Sequence, residues 1–526
     1  MLANKIYPRH IPKSFIQEFY FFKGLTFIFL LSVLFACESE EHKGERLAKS
    51  YCSSCHKFPE ASLLTKAIWQ NKVLPNMALR MGMLDLMEAT QSTNPDDLLA
   101  VVSTLPAKPM VSDKQWESIV AYFLRTAPDS LENSKENNLP ITNLFESISY
   151  HEDEGLVPLV TLIKFDSISQ HLFLSNRKGT LDELSADLKK ITSHQFSSPA
   201  SHLVRVKDDY LISLMGIMDP NDQPKGEVIK LNADTKFEPL IDSLKRPVYF
   251  ETADLNNDQL NDIVVCAFGN YTGSLSVYEK TSNLKYKKHI ISTLPGSRRT
   301  LIKDFNGDGL PDILALFTQG DEQITLFFNK GDFTFDQKIL LRFPPVYGSS
   351  YFDIADFNND GRYDILYTNG DNSDYSQILK PYHGVRIFLQ DNLGEFKESW
   401  FYKQHGASKA LALDFDLDGD LDIASISFFP DFDHNPEEGF LYFENVSGQF
   451  VAHTIQAASA GRWLVMETAD LEGDGDKDIL LGALDFTSKV PATLLQQWKI
   501  DRTSVLILKN LTYRQCTEKW LVTLVE

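Results

Sequence analysis

The chain has 526 residues, 43% of them hydrophobic, which suits several packed domains and excludes wholesale disorder. Lysine and arginine number 51 against 72 acidic residues, a formal charge of −21, which excludes a nucleic-acid partner because phosphate binding needs a basic surface. Five cysteines are too few and too scattered for a disulfide scaffold, and the wealth of Phe and Tyr over Met leans towards β-structure.

The first residues read as an address. Lys5, Arg9, Lys13 and Lys23 form a basic leader, followed by an apolar run from Leu25 to Phe35 that is too short to span a bilayer. The run ends Leu34-Phe35-Ala36-Cys37, which resembles the bacterial lipobox, and Glu38-Ser39-Glu40-Glu41 resembles the acidic tag of surface lipoproteins. The resemblance implies a signal peptide at 1–36, lipidation of Cys37, a tether at 37–43, and a lipid-anchored outer-membrane protein in a Gram-negative cell envelope, periplasmic or surface-exposed.

Cys52-Ser53-Ser54-Cys55-His56 has the C-x-x-C-H spacing of a c-type haem attachment site. Two thiols add across the haem vinyls, and the adjacent histidine falls under the iron as an axial ligand. Zinc does not require that histidine, and no second cysteine pair completes a zinc site. Gly44 to Tyr51 reads as the amphipathic helix preceding this motif in small cytochromes c, which it resembles in its glycine and aromatic positions. A closing helix is predicted over Asp113 to Arg125, with Trp116, Ile119, Val120, Phe123 and Leu124 on one face, a Ser112/Gln115 capping box, and Pro128 beyond its end. The small all-α cytochrome c domain is thus placed at 44–128. Met77 is the expected sixth iron ligand, because Pro75 should break the preceding helix and turn it inward; Met110 is the alternative.

A polar linker covers 129–148. Beyond it one acidic pattern recurs five times. The sets are Asp254, Asn256, Asp258, Leu260 and Asp262; Asp304, Asn306, Asp308, Leu310 and Asp312; and Asp356, Asn358, Asp360, Arg362 and Asp364. The last two are Asp414, Asp416, Asp418, Asp420 and Asp422, then Asp470, Glu472, Asp474, Asp476 and Asp478. Side-chain oxygens at positions 1, 3, 5 and 9, with the backbone carbonyl of position 7, are what a hard cation takes from a short loop, so up to five Ca²⁺ are expected. Gln259 stands where the other loops have glycine, which makes the first loop the weakest.

Each acidic loop is followed by a β-like run such as Ile263-Val264-Val265, and the loops recur at intervals of 50, 52, 58 and 56 residues. That interval suits one four-stranded propeller blade per repeat. Alternating runs at Leu159 to Leu174 and Leu203 to Met215 supply two further blades without the loop motif. The pattern resembles the FG-GAP/VCBS calcium-loop propellers known from integrin α-chains, which implies an all-β propeller of seven blades over 149–526 with Ca-binding loops. Both modules together resemble bacterial lipoproteins that fuse a cytochrome c to such a propeller.

Strand topology puts the opposite face of the disc at the starts of the inner strands, where Arg298, Arg299, Lys409 and Arg462 gather and two long loops return. An anionic or carbohydrate ligand is expected there. The function expected is extracytoplasmic electron transfer by haem c to or from a redox partner or small-molecule donor, with the propeller docking that partner. No Ser-His-Asp or paired-carboxylate arrangement is readable, so the reading leans against an enzyme. A dehydrogenase-like propeller feeding the haem, and a surface adhesin or carbohydrate-binding protein, are the alternatives.

Overall fold

The computed structural model describes residues 40–83, 97–132, 137–152, 157–232, 236–282, 285–373 and 377–513. The leader and the lipidation expected at Cys37 lie outside the described residues.

Among the described residues the longer helices of the first module are α1 (Glu40–Cys52), α2 (Leu74–Arg80), α3 (Leu98–Ser103) and α4 (Asp113–Thr126). Helix α1 crosses α4 at Gly44, where a Cβ would stand 2.5 Å from the Ser118 carbonyl oxygen, so only glycine permits the approach. The capping box is present: Gln115 N–H donates to Ser112 Oγ at 3.4 Å, and Ser112 N–H donates back to Gln115 Oε1 at 2.9 Å. Ile119 and Phe123 of α4 are buried with Leu47, Ala48, Trp69 and Val73, and the Trp69 and Phe123 ring centroids lie 4.3 Å apart. Pro75 does not break the helix. A π turn (Trp69–Val73) joins Lys66–Ile68 to α2, and its wider winding accommodates the proline's missing N–H donor.

Seven four-stranded antiparallel sheets follow. Blades I to VI span 160–195, 200–244, 247–292, 297–342, 349–403 and 407–453. Blade VII takes its three inner strands from 463–510 and its outermost strand from Phe145–Tyr150, which pairs with Val505–Asn510. The ring is therefore closed by a segment whose first residues fall in the expected linker, and the propeller begins at 145 rather than 149. A strand from the start of the propeller locked onto its last blade ties first blade to last, which leaves no open gap in the ring.

Every blade carries the same irregularity. Pairing between first and second strands slips by one residue at Val160/Leu162, Ala200/His202, Pro247/Tyr249, Ser297/Arg299, Ser349/Tyr351, Ala407/Lys409 and Trp463/Val465. Blades I and II share it, so they are the same structural unit without the acidic loop. The second strands of blades III to VII, from Asp262–Ala267 to Asp478–Ala483, are buried at every residue because a blade packs on each face. A helix, α5 (Ala492–Asp501), is inserted in blade VII before its third strand.

Candidate functional site

Helix α1 ends at Cys52, and the turn beyond it delivers Cys55, exposed, and His56, buried. The His56 Nδ1 lies 3.0 Å from the Lys57 carbonyl oxygen. A ring nitrogen facing a carbonyl must carry the hydrogen, which leaves the Nε2 lone pair free for a metal. Burial pushes the imidazole below its ordinary pKa and so favours the neutral form that a ligand needs, while burial pushes the Cys52 thiol up to about 11.

These side chains line two adjoining cavities. The smaller, about 100 Å³, brings Cys52, His56 and Met77 together with Trp69, Trp116 and Phe123. The larger, about 570 Å³, is lined by Cys52, Cys55, His56, Met77 and also Met110. Both candidate methionines line the larger cavity, but only Met77 lines both, and Met110 is 40% exposed. The second walls come from the propeller: Gln319 and Gly320 of blade IV border both cavities, Val346 the smaller, and Tyr271 and Asp321 the larger. No local sequence signal marks these propeller residues, because each belongs to an ordinary-looking loop more than two hundred residues from the motif.

Those loops all belong to the face opposite the acidic loops, and the helical module sits on it. Asp222 N–H donates to Asp97 Oδ1 at 2.8 Å, the Arg80 guanidinium lies 5.0 Å from the Tyr271 ring centre, and Val346 and Ile378 join the helical core. The basic residues expected at an open mouth are engaged otherwise. Arg299 stands in the central channel between the Tyr249 and Tyr351 rings, at 5.4 and 4.4 Å, and 3.5 Å from Asp353. Lys409 donates to the Met466 carbonyl at 2.7 Å; burial, with Arg299 and Lys164 nearby, lowers its pKa to about 8. Burial raises Glu251 beside them to about 7. Arg298 donates to the Ser350 carbonyl. Arg462 is buried among Phe428, Phe429, Phe432 and Phe486 and donates to the Phe486 and Ser488 carbonyls. A regular signal did mark the channel: Tyr249, Arg299, Tyr351 and Lys409 each stand five residues before the first Asp of a loop.

All five acidic loops join the first and second strands of blades III to VII and share one geometry. Positions 4 and 6 are left-handed throughout, as in Gly307 and Gly309 (φ +77° and +87°), and Gln259 takes φ +69° at a position the other loops give to glycine. The first Asp accepts backbone N–H groups across the turn, as Asp304 does from Gly307 at 2.7 Å and Gly309 at 2.9 Å. The ninth residue is a buried pin: Asp312 accepts from Phe305 N–H and Asn329 N–H, both at 2.9 Å, tying the loop to the third strand. Asp262, Asp364, Asp422 and Asp478 repeat that pair of bonds.

Ligand oxygens of Asp414, Asp416 and Asp422 lie within 4.8 Å of one another. Burial and then the neighbouring carboxylates raise Asp422 to about 6 and Asp478 to about 7. Two loops spend an acidic position on a cation of their own: Arg362 pairs with Asp360, and Lys509 pairs with Glu472.

The fold and its acidic loops define a seven-bladed β-propeller with FG-GAP repeats. A family model described as an FG-GAP-like repeat matches residues 254–315, 304–367 and 414–481. No curated protein matches the chain. Among solved structures, the N-terminal domain of Nup159 is 10% identical over 71% of this chain and 98% of its own, with a TM-score of 0.42. The Cps50 (Swd1) β-propeller domain of Myceliophteria thermophila is 12% identical over 68% and 98%, with a TM-score of 0.43. A luciferin-regenerating enzyme is 13% identical over 54% and 88%, with a TM-score of 0.33. Among the described residues no helix is long and apolar enough to cross a membrane.

Proposed function

We propose that the protein is an extracytoplasmic electron-transfer lipoprotein, anchored through Cys37, that carries one haem c on its helical module and up to five calcium ions on its propeller. The observation that carries the reading is the convergence of Cys52, His56 and Met77 on two adjoining cavities, the larger lined also by Cys55 and the smaller by buried Trp69 and Phe123. When bound, haem c supplies a one-electron redox centre. The chain's part would be to give the Cys52 and Cys55 thiols for thioether bonds, His56 Nε2 as one iron ligand, with Nδ1 held by the Lys57 carbonyl, and the Met77 thioether as a second. In the smaller cavity the wall of Trp69, Trp116 and Phe123 would shield the group from water, which would favour electron exchange over ligand binding.

The calcium reading is supported by the same kind of fit. Positions 1, 3, 5 and 9 present oxygens, and the raised Asp422 and Asp478 are carboxylates that a nearby cation would relieve. In this reading the propeller's task is to enclose the redox site, as Gln319, Gly320 and Asp321 do at the cavities, and to dock a redox partner.

The test is rapid mixing of the purified, matured protein with a one-electron donor and then an acceptor. Full reduction and reoxidation of one haem per chain supports the reading. A haem that a candidate substrate reduces with no other protein present would favour the dehydrogenase alternative instead.

A further inference from the structure

The two modules meet at the attachment turn through reciprocal bonds. Lys57 Nζ donates to the Arg342 carbonyl at 3.0 Å, and Arg342 Nη2 donates to the Cys55 carbonyl at 3.2 Å. Arg342 ends the outermost strand of blade IV (Phe335–Arg342). Its guanidinium is gripped as a fork by Asp321, with Nε 2.7 Å from Oδ1 and Nη2 2.9 Å from Oδ2. The Asp321 side chain is 12% exposed and lines the larger cavity beside Cys55 and His56. A bidentate pair fixes orientation as well as charge, so the carbonyl one residue before His56 is held from the propeller side.

We propose that Arg342 and Asp321 are positioning residues for the Cys55–His56 turn, through which the propeller sets the reduction potential of the redox site. This rests on reading Cys52, Cys55 and His56 as the haem site. The oxidised form of that site carries one more positive charge than the reduced form. A guanidinium at the turn therefore disfavours oxidation and raises the potential, and a carboxylate does the reverse. Locked together, the two charges largely cancel; removing either exposes the other.

The experiment is spectroelectrochemical titration of the full-length matured protein. Covalent haem in the wild type is established first, and its absence overturns the haem reading and this inference with it. With haem present, Arg342→Gln is expected to lower the midpoint potential and Asp321→Asn to raise it. Arg342→Lys, which keeps the cation, is expected to stay close to wild type. The haem spectrum should keep its axial-ligand signature in all three. Shifts of the same sign in Arg342→Gln and Asp321→Asn, or no shift in either, overturn the inference while leaving the haem reading intact. If Arg342→Gln fails to mature, Asp321→Asn decides alone, because it keeps the guanidinium and its bond to the Cys55 carbonyl: a raised potential supports the inference, an unchanged or lowered one overturns it.

Discussion

The ninth and fifth positions of an acidic loop do different work, and the second loop separates them. Asp312 is fully buried and accepts from Phe305 and Asn329 N–H at 2.9 Å each. Asp312→Ala strands both donors, and each hydrogen bond to a charged group is worth about 1.5–3 kcal/mol, so roughly 4 kcal/mol should be lost even without metal, and the ligand is lost as well when calcium is present. Asp308 is exposed and accepts only the Leu310 N–H at 2.9 Å and the Asn306 amide at 3.0 Å. Asp308→Ala should cost under ~1 kcal/mol in chelator, as surface changes usually do. In calcium at a hundredfold excess it should forfeit up to ~2.7 kcal/mol of linkage. A propeller of this length unfolds with an entropy of ~0.8 kcal/mol/K, so the expected drops in Tm are ~5 °C in chelator and up to ~8 °C in calcium for Asp312→Ala, against ~1 °C and up to ~5 °C for Asp308→Ala. Thermal melts of the full-length protein followed by far-UV circular dichroism read these directly. A drop below ~2 °C for Asp312→Ala would refute the pinning argument, since a stranded pair of donors could not be that cheap. Equal drops for Asp308→Ala in both buffers would refute calcium ligation at that loop.

Replacing Asp414 and Asp418 together by Ala should remove more calcium-dependent stability than the same change at Asp254 and Asp258, because the fourth loop has acids at all five positions and the first at three; equal losses contradict this. Glu251, raised to about 7 from an ordinary 4.5, binds a proton more readily folded than unfolded, so it makes stability fall as pH rises from 4.5 to 7. Glu251→Gln keeps an acceptor for the Tyr249 hydroxyl and should gain on wild type, by on the order of 1–3 kcal/mol at pH 8 and little at pH 5; a difference in Tm that does not grow with pH counts against the channel account. Met77→Ala should abolish the methionine-to-iron absorption band of the oxidised protein, whereas Met110→Ala should leave it; the reverse result moves the sixth ligand to Met110.

The acidic loops were legible because five turns obey one spacing rule, and the spacing between them is one blade. Blades I and II were legible only as alternating runs, since they lack the loop and share just the slip after the first residue of the inner strand. The closing strand Phe145–Tyr150 was not, because an outermost strand is exposed at most positions and reads like linker. The basic cluster misled for a related reason. Proximity of Arg299 and Lys409 in sequence register says that they share a ring position, not whether that position faces solvent or a channel filled by tyrosines. The capping box is local and was read correctly, whereas the close approach at Gly44 and the Arg342–Cys55 contact, which joins residues 287 apart, depend on the tertiary fold.

The measurement that tests the account most directly is whether one haem is held by Cys52 and Cys55. Expressed with a cytochrome c maturation system, the wild type should retain its red chromophore through acid-acetone extraction, and its intact mass should exceed the polypeptide by one haem. Cys52→Ala with Cys55→Ala should carry none, while the propeller still melts as in wild type. A wild-type protein of bare polypeptide mass, or one whose pigment passes into the solvent, contradicts the central claim.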